Sequence, residues 1–328
     1  NGNKSHVHFE LISGDASNRS CWNSYAVGAT LTTGDAIGRV ESPGYASTRS
    51  KCNSTSRSGR LGFATSVYGA FLNDKVSKDD WKRVLGNGDY KWMSLSGDYV
   101  AVINSAGVGH VATVSSQSLA AGTIGLVPLP IPSEPGYPAG VKKLVVDKIG
   151  NMIAINNCGA AYAWRNILGE FKWVKMANCG DAIDVDVGNG RFGLVNSCRG
   201  VYISDIGYAW SQRKPCGSKA KNVVVGETGR LGMLDSGKTA YLYDEGPGRW
   251  VTKGAVGDTI AVALGKDRLA IITSAGAMFA TDVKTDVNAG MTRLTADGDA
   301  LAIAAGSNDR LGVIASSGAA FVRDEITS

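Results

Sequence analysis

Gly190-Arg-Phe-Gly-Leu-Val-Asn-Ser197 and Gly229-Arg-Leu-Gly-Met-Leu-Asp-Ser236 are two copies of one phrase. It returns as G-R-L-G-F-A-T-S from Gly59, D-Y-V-A-V-I-N-S from Asp98 and N-M-I-A-I-N-N-C from Asn151. Two further copies are D-R-L-A-I-I-T-S from Asp267 and D-R-L-G-V-I-A-S from Asp309. Successive starts lie 39, 53, 39, 39, 38 and 42 residues apart. A repeat of this length, made of short apolar runs between turn residues, is the signature of a propeller-type array.

Each unit parses into four strands. An apolar strand comes first, as from Ala182, Asn222, Thr259 or Ala300, and the phrase itself is the second. A Ser-x-Gly type turn leads to a third strand, as from Ala240 or Ala319. A hairpin then leads to a fourth that often opens on tryptophan: Trp81, Trp173, Trp210 and Trp250. Four short strands in about 40 residues make one blade. The sequence therefore predicts an all-β, seven-bladed β-propeller with four antiparallel strands per blade. The last blade runs out after its third strand, and Cys21–Val27 reads as an orphan fourth strand that closes the ring. The domain reading is an extension over 1–20 and a propeller over 21–328, with 21–28 as the closing strand. The first strand of blade one falls either at Asp35–Val40 or near Tyr45–Cys52. Five of the eight prolines (Pro128, Pro130, Pro132, Pro135 and Pro138) mark 115–140 as an insertion, of the kind that often lines a binding face.

Composition narrows the class. The 34 basic and 29 acidic residues nearly balance, and the basic ones recur once per repeat, which argues against nucleic acid. No apolar run approaches the roughly 20 residues of a membrane helix. No signal-peptide pattern opens the chain, which reads as mature or truncated. Six cysteines permit 15 pairings. Repeat symmetry selects Cys158–Cys179 and Cys198–Cys216, which occupy matching places in neighbouring units, and leaves Cys21 with Cys52. Disulfides place the protein in an oxidising, extracellular setting. Asn18 and Asn53 sit in glycosylation sequons, which count in a eukaryotic source.

Chemistry-bearing residues are few. His6 and His8 fall in S-H-V-H-F-E-L, a string that resembles the H-x-H-F-E segment of lysostaphin-type zinc endopeptidases. That family also needs an upstream His and Asp, and two side chains do not make a zinc site, so no metal, cofactor or catalytic residue is predicted. His110 stands alone in a third strand. Arg60, Arg191, Arg230, Arg268 and Arg310 recur at one phrase position, as a scaffold bond to the neighbouring blade or as a ring for an acidic ligand. Asp184 and Asp186 lie on an inner strand, but no spacing singles out a hydrolytic pair. The stretch at Ser204 resembles the aspartate-box turn of sialidases without its spacing. Trp92 and Trp164 break the tryptophan pattern. Trp164, Arg165, Asp205, Tyr208, Asp244 and Arg249, at blade edges and hairpins, form the candidate ligand-binding set.

Over about 59–328 the repeat form resembles tachylectin-2-like sugar-binding propellers and similar bacterial repeat propellers. The resemblance implies a secreted, lectin-like protein without catalytic activity, with glycans or a polysaccharide surface as partner. Five blades in that family against seven here means that no binding residue is carried over. Two other readings stand beside it. One is a secreted polysaccharide lyase or glycoside hydrolase with its site in the funnel. The other is a protein-interaction module of a larger cell-wall protein.

Overall fold

The computed structural model describes the side chains of most residues from 92 to 313, and backbone strands on either side of that span. Cys21, Cys52, His8, Asn18, Asn53 and both candidates for the first strand of blade one lie outside the described residues, as do Arg60 and Arg310. The described residues form strands and turns and contain no helix.

Among the described residues six antiparallel sheets have four strands each, sheet I has three (Leu61–Thr65, Gly69–Asn73, Lys82–Arg83), and Ser5–His6 pairs with Thr30–Leu31 in a two-stranded sheet. The first strands of sheets II to VII are Tyr90–Ser96, Val141–Val146, Ala182–Gly188, Ala220–Val225, Thr259–Leu264 and Ala300–Ala305. In sheets II to VI the four strands follow one another in chain order. In sheet VII the fourth strand is Trp22–Ser24, which pairs with the strand Ala320–Arg323. The first strands of II to VII end around one cavity of about 40 Å³, lined among others by Ser96, Val146, Asp186, Val225, Leu264 and Ala305. Apolar side chains fill the spaces between successive sheets. Val145, Ile153 and Ile155 of sheet III pack against Val185, Phe192 and Leu194 of sheet IV, and each such fully buried side chain contributes about 1.5–3 kcal/mol.

The recurring phrase has a physical cause at its seventh position. The side-chain oxygens of Asn104, Asn156, Asn196, Asp235 and Thr273 each accept the backbone N–H four residues on. This bond builds the turn between second and third strands, the local work for which Asn, Asp and Thr are suited. It also corrects the sequence alignment of sheet III. The bonded residue is Asn156, so the copy there begins at Gly150, one residue before the start read from sequence.

Each of these turns then clasps the next sheet. The carbonyls of Gly107, Gly159, Arg199, Lys238 and Gly276 accept the N–H of Val141, Ala182, Ala220, Thr259 and Ala300, the opening residues of the following first strands. Disulfides Cys158–Cys179 and Cys198–Cys216 reinforce the same turns in sheets III and IV, with the pairing that repeat symmetry gave.

Part of the proline-rich insertion is blade. Val127–Leu129 is the fourth strand of sheet II, with Pro128 opposite His110. Proline is tolerated there because an outermost strand has no further neighbour to which it must donate. Beyond it, Pro132 and Ala139 accept bonds from the side chains of Asn156 and Asn157. Glu134 accepts from Lys175 at 2.8 Å and from the Tyr162 hydroxyl. These two bonds hold the Glu134 carboxyl below the ordinary glutamate value, while burial and the same bond push the Tyr162 hydroxyl up to about 12. A carboxyl whose pKa is depressed by folding stabilises above its unfolded pKa and loses that contribution as pH falls through the folded one. Amide exchange in 131–139, corrected for intrinsic rate, is therefore expected to accelerate on acidification below the ordinary glutamate range. Glu134→Gln should show the faster exchange already at neutral pH, and identical profiles for the two proteins would refute the assignment.

Candidate functional site

The six residues proposed from sequence separate once placed. Trp164 faces Trp173 edge-on at 5.3 Å, lies over Phe171 at 6.2 Å and packs on the core between sheets II and III. It is a packing residue with one partly open face. Arg165 lies in the same strand, with its side chain outside the described residues, as Tyr208 is entirely. Asp205 and Asp244 do reach one rim. Asp205 accepts from Arg191 Nε at 2.7 Å. Arg191 crosses to sheet V, where it binds Glu245 at 2.6 Å and the Gly229 carbonyl at 2.9 Å. Asp244 opposes Arg249 across the hairpin and lines a cavity of about 310 Å³ with Arg191, Thr228, Arg230, Tyr243 and Glu245. Arg230 donates to the Val283 carbonyl of the next sheet at 2.6 Å, and Arg268 to Asp282 at 3.0 Å. The recurring arginines thus bond across or between sheets through their planar forks.

The fourth-strand tryptophans act between sheets. Trp210 donates to the Met176 carbonyl and Trp250 to that of Arg213, each in the preceding sheet.

Just beyond the opening of each first strand, one column of residues forms a polar ladder. Trp92, Lys143, Asp184 and Asn222 hold this position in sheets II to V, as their pairing with the second strands shows. Lys143 Nζ lies 5.5 Å from the centre of the Trp92 ring and 2.7 Å from Asp184 Oδ1. The other oxygen of Asp184 accepts from Asn222 Nδ2 at 3.3 Å and Val223 N at 2.9 Å. Asp186 accepts from Val225 N, and Ser94 accepts from Val146 N in the same manner. The two inner-strand carboxylates thus staple neighbouring first strands, and both are buried.

The face on which the first strands begin carries a feature that sequence reasoning missed. All six first strands of II to VII shift register by one residue at the same place. Such a bulge re-aims one side chain. The residues at the shift are Lys91, Lys142, Ile183, Lys221, Ile260 and Leu301. Lys142 and Lys221 are exposed, and so are Ile183, Ile260 and Leu301, at 36%, 42% and 61%. Large aliphatic side chains held outward at a repeated structural position call for an explanation, where scattered ones would not. The signal lay in the sequence as a column, legible only once the Asn, Asp or Thr of each turn fixes the alignment. Among the described residues no cluster of His, Cys, Asp and Glu could hold a metal ion.

No family model and no curated protein matches the chain. Solved structures do. Human WBSCR16 superposes with a TM-score of 0.60 at 9% identity, over 98% of this chain and 95% of its own. YCF48 from Cyanidioschyzon merolae gives 0.57 at 13%, over 92% and 98%. Prp20p from Saccharomyces cerevisiae, described with its binding to Gsp1p and histones, gives 0.52 at 12%, over 71% of each chain. Another YCF48 structure holds a D1 peptide. These neighbours are β-propellers, and at such identities the likeness is one of fold: this chain is a β-propeller.

Proposed function

We propose that the chain is a protein-interaction propeller that holds a polypeptide partner on the face where its first strands begin. In this reading sheet I is the seventh blade, and Trp22–Ser24 closes the ring. The observation that carries the reading is the row of bulges that leaves Ile183, Ile260 and Leu301 exposed at equivalent places. The fully buried core of a protein–protein interface is more apolar than the rest of the surface, and exposed aliphatic side chains supply such a core. The peptide and protein complexes named for structural neighbours support the same class of partner. The two disulfides support an oxidising compartment.

The test is selection from a displayed random-peptide library against the oxidised protein, with a glycan array in parallel. Selected peptides are expected to bind wild type and to lose about tenfold or more in affinity to Ile260→Asp and Leu301→Asp, since each variant puts a charge into a desolvated contact. Glycan binding with no selectable peptide would overturn the reading in favour of a lectin.

A further inference from the structure

Four basic residues that are scattered in sequence meet on this face, between sheets IV and V. Arg199 sits in the turn of sheet IV, Lys219 and Lys221 flank the first residue of sheet V, and Lys238 sits in the turn of sheet V. Backbone bonds fix their proximity. The Arg199 carbonyl accepts from Ala220 N, between the two lysines, and the Lys219 carbonyl accepts from Ser236 N, two residues before Lys238. All four side chains are exposed. The neighbouring carboxylates are engaged elsewhere: Asp181 by Ser197, Asp235 by Thr239 N and the Tyr241 hydroxyl, and Asp258 by Ser274. Lys214 nearby is committed to the rings of Tyr241 and Trp250.

Three of the four hold an unfavourable backbone. Arg199, Lys219 and Lys238 have φ of 66°, 65° and 60°, the left-handed region that suits glycine. At the positions of Arg199 and Lys238, sheets II, III and VI have Gly107, Gly159 and Gly276. Long basic side chains thus stand where the fold alone favours glycine. On either side of Lys221, the equivalent bulges of sheets IV and VI present Ile183 and Ile260.

We infer that this cluster, with Ile183 and Ile260, docks an acidic polypeptide segment whose carboxylates are interspersed with aliphatic side chains. The inference rests on the protein-interaction reading and adds the chemistry of the partner. The charge selects a polyanion. The flanking isoleucines, and the want of an aromatic face among the six residues, favour a polypeptide over an acidic polysaccharide.

The probes are fluorescein-labelled synthetic peptides in which Glu and Asp alternate with Leu, their Gln and Asn analogues, and a heparin fragment, followed by anisotropy at about 0.15 M salt. The variant is Arg199→Gly, Lys219→Gly and Lys238→Gly with Lys221→Gln. It removes the charge while relieving the left-handed positions, so its melting temperature should equal or exceed that of wild type. The acidic peptides are expected to bind wild type, to bind more weakly as salt rises, and to lose about tenfold or more on the variant. The amide analogues should bind weakly to both proteins. Acidic-peptide affinity unchanged in the variant but lost in Leu301→Asp would overturn the cluster and leave the interaction reading standing. Heparin binding that falls in the variant, with no peptide bound by wild type, would overturn both.

Discussion

Asp184→Ala is expected to destabilise the protein by about 3–5 kcal/mol, read as a fall in the urea midpoint at unchanged slope. The carboxylate sits in a buried ion pair with Lys143 at 2.7 Å, and the two side chains are 7% and 9% exposed. Removing it takes the carboxylate from a buried ammonium and leaves the Val223 N–H, bonded at 2.9 Å, without its acceptor. The Trp92 ring at 5.5 Å cannot make good that loss. Pairing the change with Lys143→Met removes the buried ammonium as well, so the double variant should be more stable than Asp184→Ala alone. Asp184→Asn keeps an acceptor for Val223 and should fall between wild type and Ala. A loss below about 1 kcal/mol for Asp184→Ala would mean that the ion pair does not join sheets III and IV as described.

The propeller was legible because each sheet repeats one local solution. The Asn, Asp or Thr that bonds the N–H four residues on, at Asn104, Asn196, Asp235 and Thr273, writes its turn into the sequence at a steady interval. The slip at Asn156 arose because Ile155-Asn156-Asn157 offers two candidates, and only the hydrogen bond distinguishes them. Pro128 reads as a break in the blade, since proline argues against a strand in general; its place on the outermost strand removes the objection. The disulfides of sheets III and IV were legible by the same symmetry as the turns they secure.

The candidate face was far less legible, for two physical reasons. A bulge adds a residue without altering composition, so the strands read from Ala182, Thr259 and Ala300 carry Ile183, Ile260 and Leu301 with nothing to mark them as turned outward. In sheet V the strand read from Asn222 passes over Lys221, the residue the bulge presents. The basic cluster is assembled by carbonyl bonds between a turn and the next sheet, and nothing in linear spacing announces them. Counting one basic residue per repeat therefore concealed four that share a surface. The residues chosen for aromatic and charged character, Trp164 and Asp205, are occupied in packing and in a bridge to Arg191.

Gly188→Ala is expected to cost about 3 kcal/mol or more, although a single methyl group is added on a strand. A Cβ on Gly188 would lie 2.3 Å from the Gly226 carbonyl oxygen and 2.8 Å from that of Val225. A Cβ on Gly226 would meet the Gly265 carbonyl oxygen at 2.3 Å. The first strands of sheets IV, V and VI thus end backbone against backbone beside the central cavity. A carbonyl held in a sheet has no rotamer to escape into, so relief requires sheet V to move outward. That movement would stretch the Val225 N–H bond to Asp186, now 2.7 Å, and loosen the interface on which Phe192 and its neighbours depend. Gly217→Ala is the matched control. Its φ is 81° but nothing lies within 4 Å of the added methyl, so only the left-handed backbone term applies, roughly 1–2 kcal/mol. Thermal and urea unfolding of the two variants should therefore rank Gly188→Ala well below Gly217→Ala. The reverse order would show that the sheets have slack at the cavity, and that the spacing of the first strands is set by the clasps on the opposite face.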